Sequence, residues 1–237
     1  VERGDDWPDV LAQGRVALIP KAEPMQGMVA ADALRPITVL SQIFRRWGRA
    51  RMAQLTPWAR TWVDAQQSGL HKGPGASQLL WATAVQVEAQ VAQKFPTVGV
   101  SFDLAKAFDS VEWQVVAELA QVTQAPRGPL EAALRLYAGL RRSFQAPGAR
   151  VASGATGARR GVPQGCGLAP VMMALVARMW AGHLMTLDLG ALALQARLCV
   201  DDLHVLIHFP DTQAFAVQRA QLALQAVVEE SLQLLSA

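Results

Sequence analysis

Three aspartates lie in segments that are otherwise too apolar to hold a charge without a partner. Asp201 and Asp202 are adjacent and follow the apolar residues 198–200, and Asp103 stands in a second strand-like segment, residues 98–104. A buried carboxylate needs a partner to offset its lost hydration, yet no Lys or Arg adjoins the pair. Converging carboxylates are neutralised by a hard divalent cation, with Mg²⁺ the leading candidate. Two such ions form the clamp of in-line phosphoryl transfer, and the pattern predicts that chemistry.

The composition indicates one large or two small intracellular domains. Of the 237 residues, 51% are apolar, which suffices for a substantial core and excludes a disordered chain. Two cysteines imply no disulfide framework, and the first residues are charged rather than signal-like. We therefore expect an intracellular, non-secreted protein. The apolar residues 168–187 include Arg178, whose insertion would cost about 2.5–3.5 kcal/mol, so a buried core helix and no membrane partner are expected.

The charge is distributed unevenly along the chain. Residues 1–160 carry 19 basic and 13 acidic side chains, whereas residues 161–237 carry 3 and 6. This asymmetry suits a basic surface for a polyanion beside an acidic cation pocket. Two acid-free runs, residues 35–60 and 135–160, hold six arginines each, and a solvated helix face or a GC-rich genome is the alternative explanation. The arginines expected to contact nucleic acid are Arg45, Arg46, Arg49, Arg159 and Arg160.

The hydrophobic periodicity alternates between strands and helices. On the strand 98–104, Gly99, Ser101 and Asp103 share one face, which leaves space beside the carboxylate for metal ions and a triphosphate. Asp109 and Glu112 resemble a capping box at the start of a helix. The expected strands are residues 15–20, 34–39, 98–104, 198–200 and 203–209, the Asp pair forming the last hairpin turn. The expected helices are residues 41–55, 78–94, 109–122, 129–137, 168–187 and a final one that is capped by Asp211 and ends near residue 235.

Three blocks in a fixed order resemble reverse transcriptases. F-D-L-A-K-A-F-D around Asp103, G-V-P-Q-G-C-G-L-A-P at residues 161–170 and V-D-D-L at residues 200–203 are similar to blocks A, B and C of that family. Upstream, L-I-P-K, R-P-I-T and Q-S-G-L resemble its fingers blocks. The resemblance covers roughly residues 15 to 210 and is closest to the LINE-type (non-LTR) retrotransposon and group II intron branch.

The resemblance implies an α/β (α+β) right-hand polymerase core, with an antiparallel palm sheet backed by helices and with the thumb absent. It divides the chain into residues 1–96, mostly fingers; 97–118, palm with block A; 119–160, an Arg-rich insertion of fingers or palm; and 161–237, palm with blocks B and C. It implies RNA-directed DNA synthesis for a retroelement, with an RNA template, a DNA primer and dNTPs as partners.

The resemblance also implies roles for single residues. Asp103, Asp201 and Asp202 would be the catalytic carboxylates for two Mg²⁺ ions, with Mn²⁺ as an alternative, and Leu104 would add a backbone carbonyl ligand. For Asp202 alone, an aspartate that satisfies turn N–H groups is the structural alternative. His204 and His208 share a strand face, but no further ligands are suitably placed, so a zinc site is not expected.

The nucleotide contacts implied by the resemblance lie in the fingers and in block B. Lys21 and Arg35 would grip the triphosphate, while Gln164 and Gly165 would line the nucleotide pocket and contact the template. Phe108 would be the sugar gate, excluding a ribose 2′-hydroxyl by its bulk. A core aromatic side chain is the alternative for Phe108, and both roles are compatible.

The sequence departs from the family pattern in ways that leave alternatives open. Cys199 replaces the usual Tyr of block C, Cys166 and Ala169 replace serines of block B, and the sequence ends at Ala237 before the expected thumb. This fragment is therefore expected to be inactive alone, with a thumb, and an endonuclease as a further option, in the full-length protein. The alternatives are a catalytically decayed nucleic-acid-binding scaffold and an RNA-dependent RNA polymerase, which Phe108 and P-Q-G disfavour.

Overall fold

The chain folds into two compact units of mixed helix and strand. The computed structural model describes residues 2, 4–21, 30, 33–63, 67–68, 70, 75–104, 106–145, 153–189, 192–200, 202–208 and 216–236. Unit 1 consists of Val1–Thr61 and Lys106–Met172, and unit 2 of Trp62–Ala105 and Met173–Ala237. In chain order the elements are β1 (Gln13–Pro20), β2 (Leu34–Val39), α1 (Gln42–Trp62), β3 (Gln67–Ser68), α2 (Ala76–Ala92), β4 (Thr97–Asp103), α3 (Ala107–Ser110), α4 (Trp113–Val122), α5 (Arg127–Gly139), β5 (Arg141–Gln145), α6 (Ala169–Leu184), β6 (Ala193–Cys199), β7 (Asp202–His208) and α7 (Ala216–Ser236).

Unit 1 contains a sheet with the strand order β2-β1-β5. β1 pairs antiparallel with β2, so that Ile19 lies opposite Arg35, and it pairs parallel with β5. Val16 of β1 is buried whereas Arg15 beside it is exposed, as the two-residue period of a half-buried strand requires. The helix α5 buries Leu130, Leu136 and Tyr137 completely, and these residues form part of the unit 1 core.

Unit 2 contains a sheet with the strand order β3-β6-β7-β4, in which β7 pairs antiparallel with both β6 and β4. One face of this sheet is apolar and packs against α6 and α7 through Trp180 and Val227. The rings of Phe102 and Trp180 meet edge to face at 5.7 Å, and the indole Nε1 of Trp180 donates to Ser231 Oγ at 3.1 Å. The opposite face of the sheet is therefore left to carry the polar side chains, Asp103 and Asp202 among them.

The structure confirms the expected α/β class, with an antiparallel sheet in unit 2 whose apolar face is backed by helices. The expected helix start at Asp109 is wrong: Asp109 lies inside the short helix α3, and α4 begins at Trp113. Glu112 takes the extended N-cap conformation of α4 (φ −76°, ψ 128°), so it precedes the helix and cannot close a capping box from its third position. The predicted cap at Asp211 lies outside the described residues.

None of the helices within the described part of the chain combines the length and the apolar character that a membrane crossing requires.

Candidate functional site

Two of the three predicted carboxylates lie side by side at one edge of the unit 2 sheet. Asp103 is the last residue of β4 and Asp202 is the first residue of β7, and the two are direct partners in the antiparallel register. Cys199 of β6 is the partner of Asp202 on its other side. Directly opposed residues of an antiparallel pair hold their Cβ atoms about 4.5–5.5 Å apart. The pleat thus brings two carboxylates from positions 99 residues apart onto one sheet face.

Nothing in the described part of the chain neutralises this carboxylate pair. The expected burial is wrong, because the side chains of Asp103 and Asp202 are both exposed. Neither side chain makes an ion pair or hydrogen bond with another described residue. Like charges directly opposite each other destabilise a sheet, and a bound cation would offset that repulsion; carboxylate oxygens are the donors that Mg²⁺ prefers. Among the described residues, no three metal-ligating side chains come together, and Asp201 lies outside those residues.

A cavity adjoins Asp202 on the same face of the unit 2 sheet. It has a volume of about 500 Å³, and Asp202, Cys199 and His204 line its sheet side while Leu79 and Thr83 of α2 form the other side. Gly99 leaves room there, because a Cβ atom at this position would stand 2.8 Å from Leu206 Cδ2 and would force that side chain to shift. The polar face is therefore open beside Asp202 and covered by α2 farther along.

In unit 1, the P-Q-G turn is docked on the outer edge of β2. Thr38 N donates to Gln164 O at 2.8 Å, and Cys166 N donates to Pro163 O at 3.0 Å to close the turn. Gly165 has φ +106°, and a Cβ atom there would lie 2.6 Å from Thr38 O. Only glycine fits such a left-handed position in close contact with a neighbouring backbone. The glycine of this motif thus holds Gln164 against β2.

The same segment is tied at its other end to the short helix that carries Phe108. Val162 N donates to Phe108 O at 2.7 Å, and Gly161 N donates to Val111 O at 2.8 Å. The indole of Trp113 donates to Gly161 O at 2.8 Å. Phe108 itself is half-buried. Three of the predicted nucleotide contacts, Phe108, Gln164 and Gly165, therefore belong to one hydrogen-bonded segment that runs from α3 to β2.

The predicted basic residues all lie in unit 1 and on its surface. Lys21 and Arg35 occupy the loop end of the β1–β2 hairpin, where Lys21 N donates to Ala33 O at 2.9 Å, and both side chains are exposed. On the surface, Arg160 pairs with Glu112 at 3.2 Å, an arrangement that contributes little stability in water. The other arginines predicted to contact nucleic acid are likewise exposed, namely Arg45, Arg46, Arg49 and Arg159.

The predicted site residues divide between the two units. Unit 2 holds Asp103, Leu104 and Asp202, and unit 1 holds the nucleotide-contacting and arginine residues. Leu104 is half-buried and directly follows β4. The structure thus places Asp103 and Asp202 next to each other in unit 2. Separately, it joins the block B turn to Phe108 in unit 1.

Sequence reasoning missed two residues that support the block B turn. Thr38 acts through its main-chain N–H, and no side-chain pattern in the sequence signals such a contact. Tyr137 of α5 donates its hydroxyl to Cys166 Sγ at 2.8 Å, with both side chains buried. Burial, and secondarily the neighbouring Cys166, raises the pKa of Tyr137 well above its ordinary value; burial likewise raises the pKa of the Cys166 thiol. Both groups therefore stay neutral, and the thiol acts as a hydrogen-bond acceptor where serine is usual.

Solved telomerase structures share the fold at low sequence identity. Apo telomerase from Candida tropicalis, truncated from its C-terminal domain, aligns with a TM-score of 0.60 at 12% identity, covering 91% of this chain and 47% of that one. Candida tropicalis telomerase in complex with a TWJ fragment of telomeric RNA aligns with a TM-score of 0.61 at 12% identity, over 91% and 40%. The corresponding Candida albicans complex gives 0.51 at 11%, over 95% and 41%. The chain thus spans less than half the length of these telomerase chains.

No curated protein matches the chain at a significant level. The family model described as "Reverse transcriptase (RNA-dependent DNA polymerase)" matches residues 19–236, which is most of the sequence. Its match includes both carboxylates, the P-Q-G turn and the strand β2 that carries Arg35. The chain therefore belongs to the reverse transcriptase family.

Proposed function

We propose that the chain is the polymerase domain of an RNA-directed DNA polymerase, which transfers nucleotides from dNTPs to the 3′ end of a DNA primer on an RNA template. The observation that carries the proposal is the register pair Asp103–Asp202, two carboxylates on one sheet face without a protein cation among the described residues. Such a pair costs stability unless it binds a cation. Cation binding would remove that cost and give the pair a function.

The proposed cations are Mg²⁺ ions, with Mn²⁺ as an alternative. Asp103 and Asp202 would hold them together with Asp201 and the Leu104 carbonyl, and when bound they would activate the primer hydroxyl and stabilise the leaving pyrophosphate. The chain's own part is to hold two carboxylates in fixed register on a rigid sheet. The apolar face behind them, built on Phe102 and Trp180, supplies that rigidity.

The proposed nucleotide site lies along the segment from Phe108 to Gly165. Gln164 offers both a donor and an acceptor, and the docked turn fixes its backbone against β2. Arg35 and Lys21 would bind the triphosphate as cations, for which the planar guanidinium of arginine is well suited. Phe108 would discriminate against ribonucleotides by occupying the space of a 2′-hydroxyl.

The proposed nucleic-acid partner is a primer–template duplex held by the exposed arginines of unit 1. The two telomerase complexes contain a fragment of telomeric RNA, which supports an RNA template for a chain of the same fold. We also propose an intracellular retroelement of the LINE-type or group II intron branch as the source. The resemblance of the blocks around Asp103, Gln164 and Asp202 to that branch supports this origin.

Primer extension on an RNA template, with dNTPs and Mg²⁺, tests the proposal in the full-length protein. Asp103→Asn and Asp202→Asn should each abolish extension, because each removes a charge from the carboxylate pair while preserving side-chain size. Asp9→Asn is the matched control, since Asp9 is an exposed acid of unit 1, and it should retain full activity. Undiminished extension by Asp103→Asn would refute the proposal.

The same experiment separates the enzyme from a non-catalytic scaffold. A scaffold would bind the primer–template duplex but extend nothing, and Asp103→Asn would leave binding unchanged. An RNA-dependent RNA polymerase would extend with ribonucleotides in preference to dNTPs. Each outcome is distinct from the DNA synthesis that we expect.

A further inference from the structure

Arg197 is a buried cation that has no carboxylate partner among the described residues. It stands on β6, and only 6% of its surface is exposed. Its guanidinium donates to Leu79 O at 3.2 Å, to Thr83 Oγ1 at 2.8 Å and to Gln86 Oε1, all on α2. Burying a charge costs free energy, and three hydrogen bonds to a single helix offset that cost here. The contacts of Arg197 thus fix α2 against the unit 2 sheet.

The arginine also dictates the orientation of the Gln86 amide. A guanidinium has donors only, so the atom of Gln86 that faces Arg197 must be its oxygen. The amide nitrogen of Gln86 then faces His208, with 2.8 Å between Nε2 of Gln86 and Nε2 of His208. An amide nitrogen donates and does not accept, so His208 Nε2 must be the unprotonated acceptor. The remaining proton sits on Nδ1, 3.4 Å from Thr97 Oγ1.

The described neighbours of His208 supply no negative charge that would favour its protonation. Its register partners are Thr97 on β4 and Ala193 on β6, and Gln86 faces it from α2; all three are neutral. Among the described residues, the charged group that acts on His208 is Arg197, which together with burial, the larger cause, lowers the pKa of His208. A second proton would set a new N–H donor against the Gln86 amide nitrogen and a second positive charge beside the guanidinium.

We propose that Arg197 is a positioning residue that holds α2 over the carboxylate-bearing face of unit 2, and that this hold requires a neutral His208, so that acid releases α2. The helix matters to the site because Leu79 and Thr83 of α2 wall the cavity that Asp202 lines. The inference concerns packing within unit 2 and is measured without catalysis. If this inference failed, the proposed function would be unaffected. If the proposed function failed, this inference would be unaffected in turn.

The sign of the pH dependence follows from the direction of the pKa change. His208 takes up a proton more readily when α2 is released than when it is docked. The docked state of α2 therefore has its full stability above about pH 6.5, the ordinary pKa of histidine, and becomes less stable as the pH falls below that value. The opening equilibrium of α2 should rise by up to about tenfold per pH unit in that window.

Hydrogen exchange of the α2 amides, expressed as protection factors relative to the α4 amides of the same chain, tests this proposal between about pH 5.5 and pH 8. Protection of α2 should fall with acid in the unaltered protein and become independent of pH in His208→Asn. His183→Gln is the matched control, because His183 pairs with Glu230 on the other side of the unit 2 sheet; the acid response should persist there.

Two further variants keep the proposal refutable where His208→Asn folds poorly. Gln86→Glu places a carboxylate between Arg197 and His208, so acid should now strengthen α2 protection instead of weakening it. Arg197→Lys retains the charge but lacks the planar fork, and should lower α2 protection at every pH. A pH-independent α2 in the unaltered protein, an acid response that survives in His208→Asn, no reversal in Gln86→Glu, or full protection in Arg197→Lys would each overturn the proposal.

Discussion

Asp103 on β4 lies directly opposite Asp202 on β7 in an antiparallel pair. The two residues are far apart in the sequence, and the register of the sheet alone makes them neighbours. A slip of one residue would carry either side chain to the opposite face. The apolar residues that alternate with them prevent that slip, because Phe102 and Leu203 pack into the unit 2 core on the reverse face. The core of unit 2 thus enforces the carboxylate pair.

Metal binding should therefore appear as a change in stability. Added Mg²⁺ should raise the midpoint of thermal unfolding of the unaltered protein, because a ligand that binds only the folded state stabilises it. In metal-free buffer, Asp103→Asn should be more stable than the unaltered protein by about 0.2–1 kcal/mol, since it relieves the repulsion with Asp202. Scanning calorimetry with Mg²⁺ and with a chelator measures both effects.

Asp9→Asn is again the control for Asp103→Asn and should respond to Mg²⁺ as the unaltered protein does. An equal Mg²⁺-induced rise in Asp103→Asn would show that the ion binds elsewhere.

The glycines of block B should differ sharply in their tolerance of a methyl group. Gly165→Ala should destabilise unit 1 by about 1–3 kcal/mol, since a left-handed backbone strains any other residue and the new Cβ would meet Thr38 O at 2.6 Å. Gly167→Ala should stay within about 0.5 kcal/mol, because nothing lies within 4 Å of its Cβ position. Urea denaturation compares the two variants, and equal losses would contradict the docking of the turn on β2.

The buried pair of Tyr137 and Cys166 should show an asymmetric response to mutation. Cys166→Ala leaves the tyrosine hydroxyl buried without an acceptor and should cost about 1–3 kcal/mol. Tyr137→Phe removes the donor together with its need for a partner and should cost about 0.5–1.5 kcal/mol. Equilibrium unfolding of the two single variants and of the double variant measures the coupling, and additive losses would show that the contact contributes no stability.

Several of the strands could be predicted, because apolar and polar residues alternate along them in the sequence. The strands β1, β2, β4 and β7 appear where the alternation predicted them. In contrast, β3 and β5 were not predicted, β6 begins at Ala193 although only residues 198–200 were expected, and Asp202 begins β7 instead of lying in the hairpin turn. Local capping was predicted less well, because Glu112 serves α4 from outside the helix and Asp109 belongs to α3.

Contacts that pass through the main chain or depend on tertiary packing could not be predicted. Thr38 holds the block B turn with its backbone N–H, and any residue except proline could supply that donor. In the sequence, Tyr137 is only one more apolar position on the α5 stripe. Only the fold shows that Cys166 lies beside its hydroxyl. Arg197 likewise resembles a surface charge on a strand, and only the placement of α2 reveals that it is buried.

Phe108 has two possible roles, nucleotide selectivity and core packing, and one variant can distinguish them. Its carbonyl accepts from Val162 N at 2.7 Å, so the backbone link to block B survives any side-chain change, and the ring is only half-buried. Phe108→Ala in the full-length protein should therefore raise the use of ribonucleotides relative to dNTPs, because the space beneath a 2′-hydroxyl opens. Use of dNTPs should suffer less, since Gln164 and the carboxylates remain in place.

Phe44→Leu is the matched control for Phe108→Ala, because Phe44 is fully buried in unit 1; it should lower stability without altering nucleotide choice. If Phe108 served packing alone, its truncation would cost about 3–5 kcal/mol and leave selectivity unchanged. Incorporation ratios for paired ribo- and deoxyribonucleotides, measured beside thermal unfolding of the same samples, distinguish the two cases. We expect the ratio of ribo- to deoxyribonucleotide incorporation to rise while the stability loss stays below about 3–5 kcal/mol. The loss is smaller because removing a half-buried ring leaves a smaller cavity than removing a core residue does.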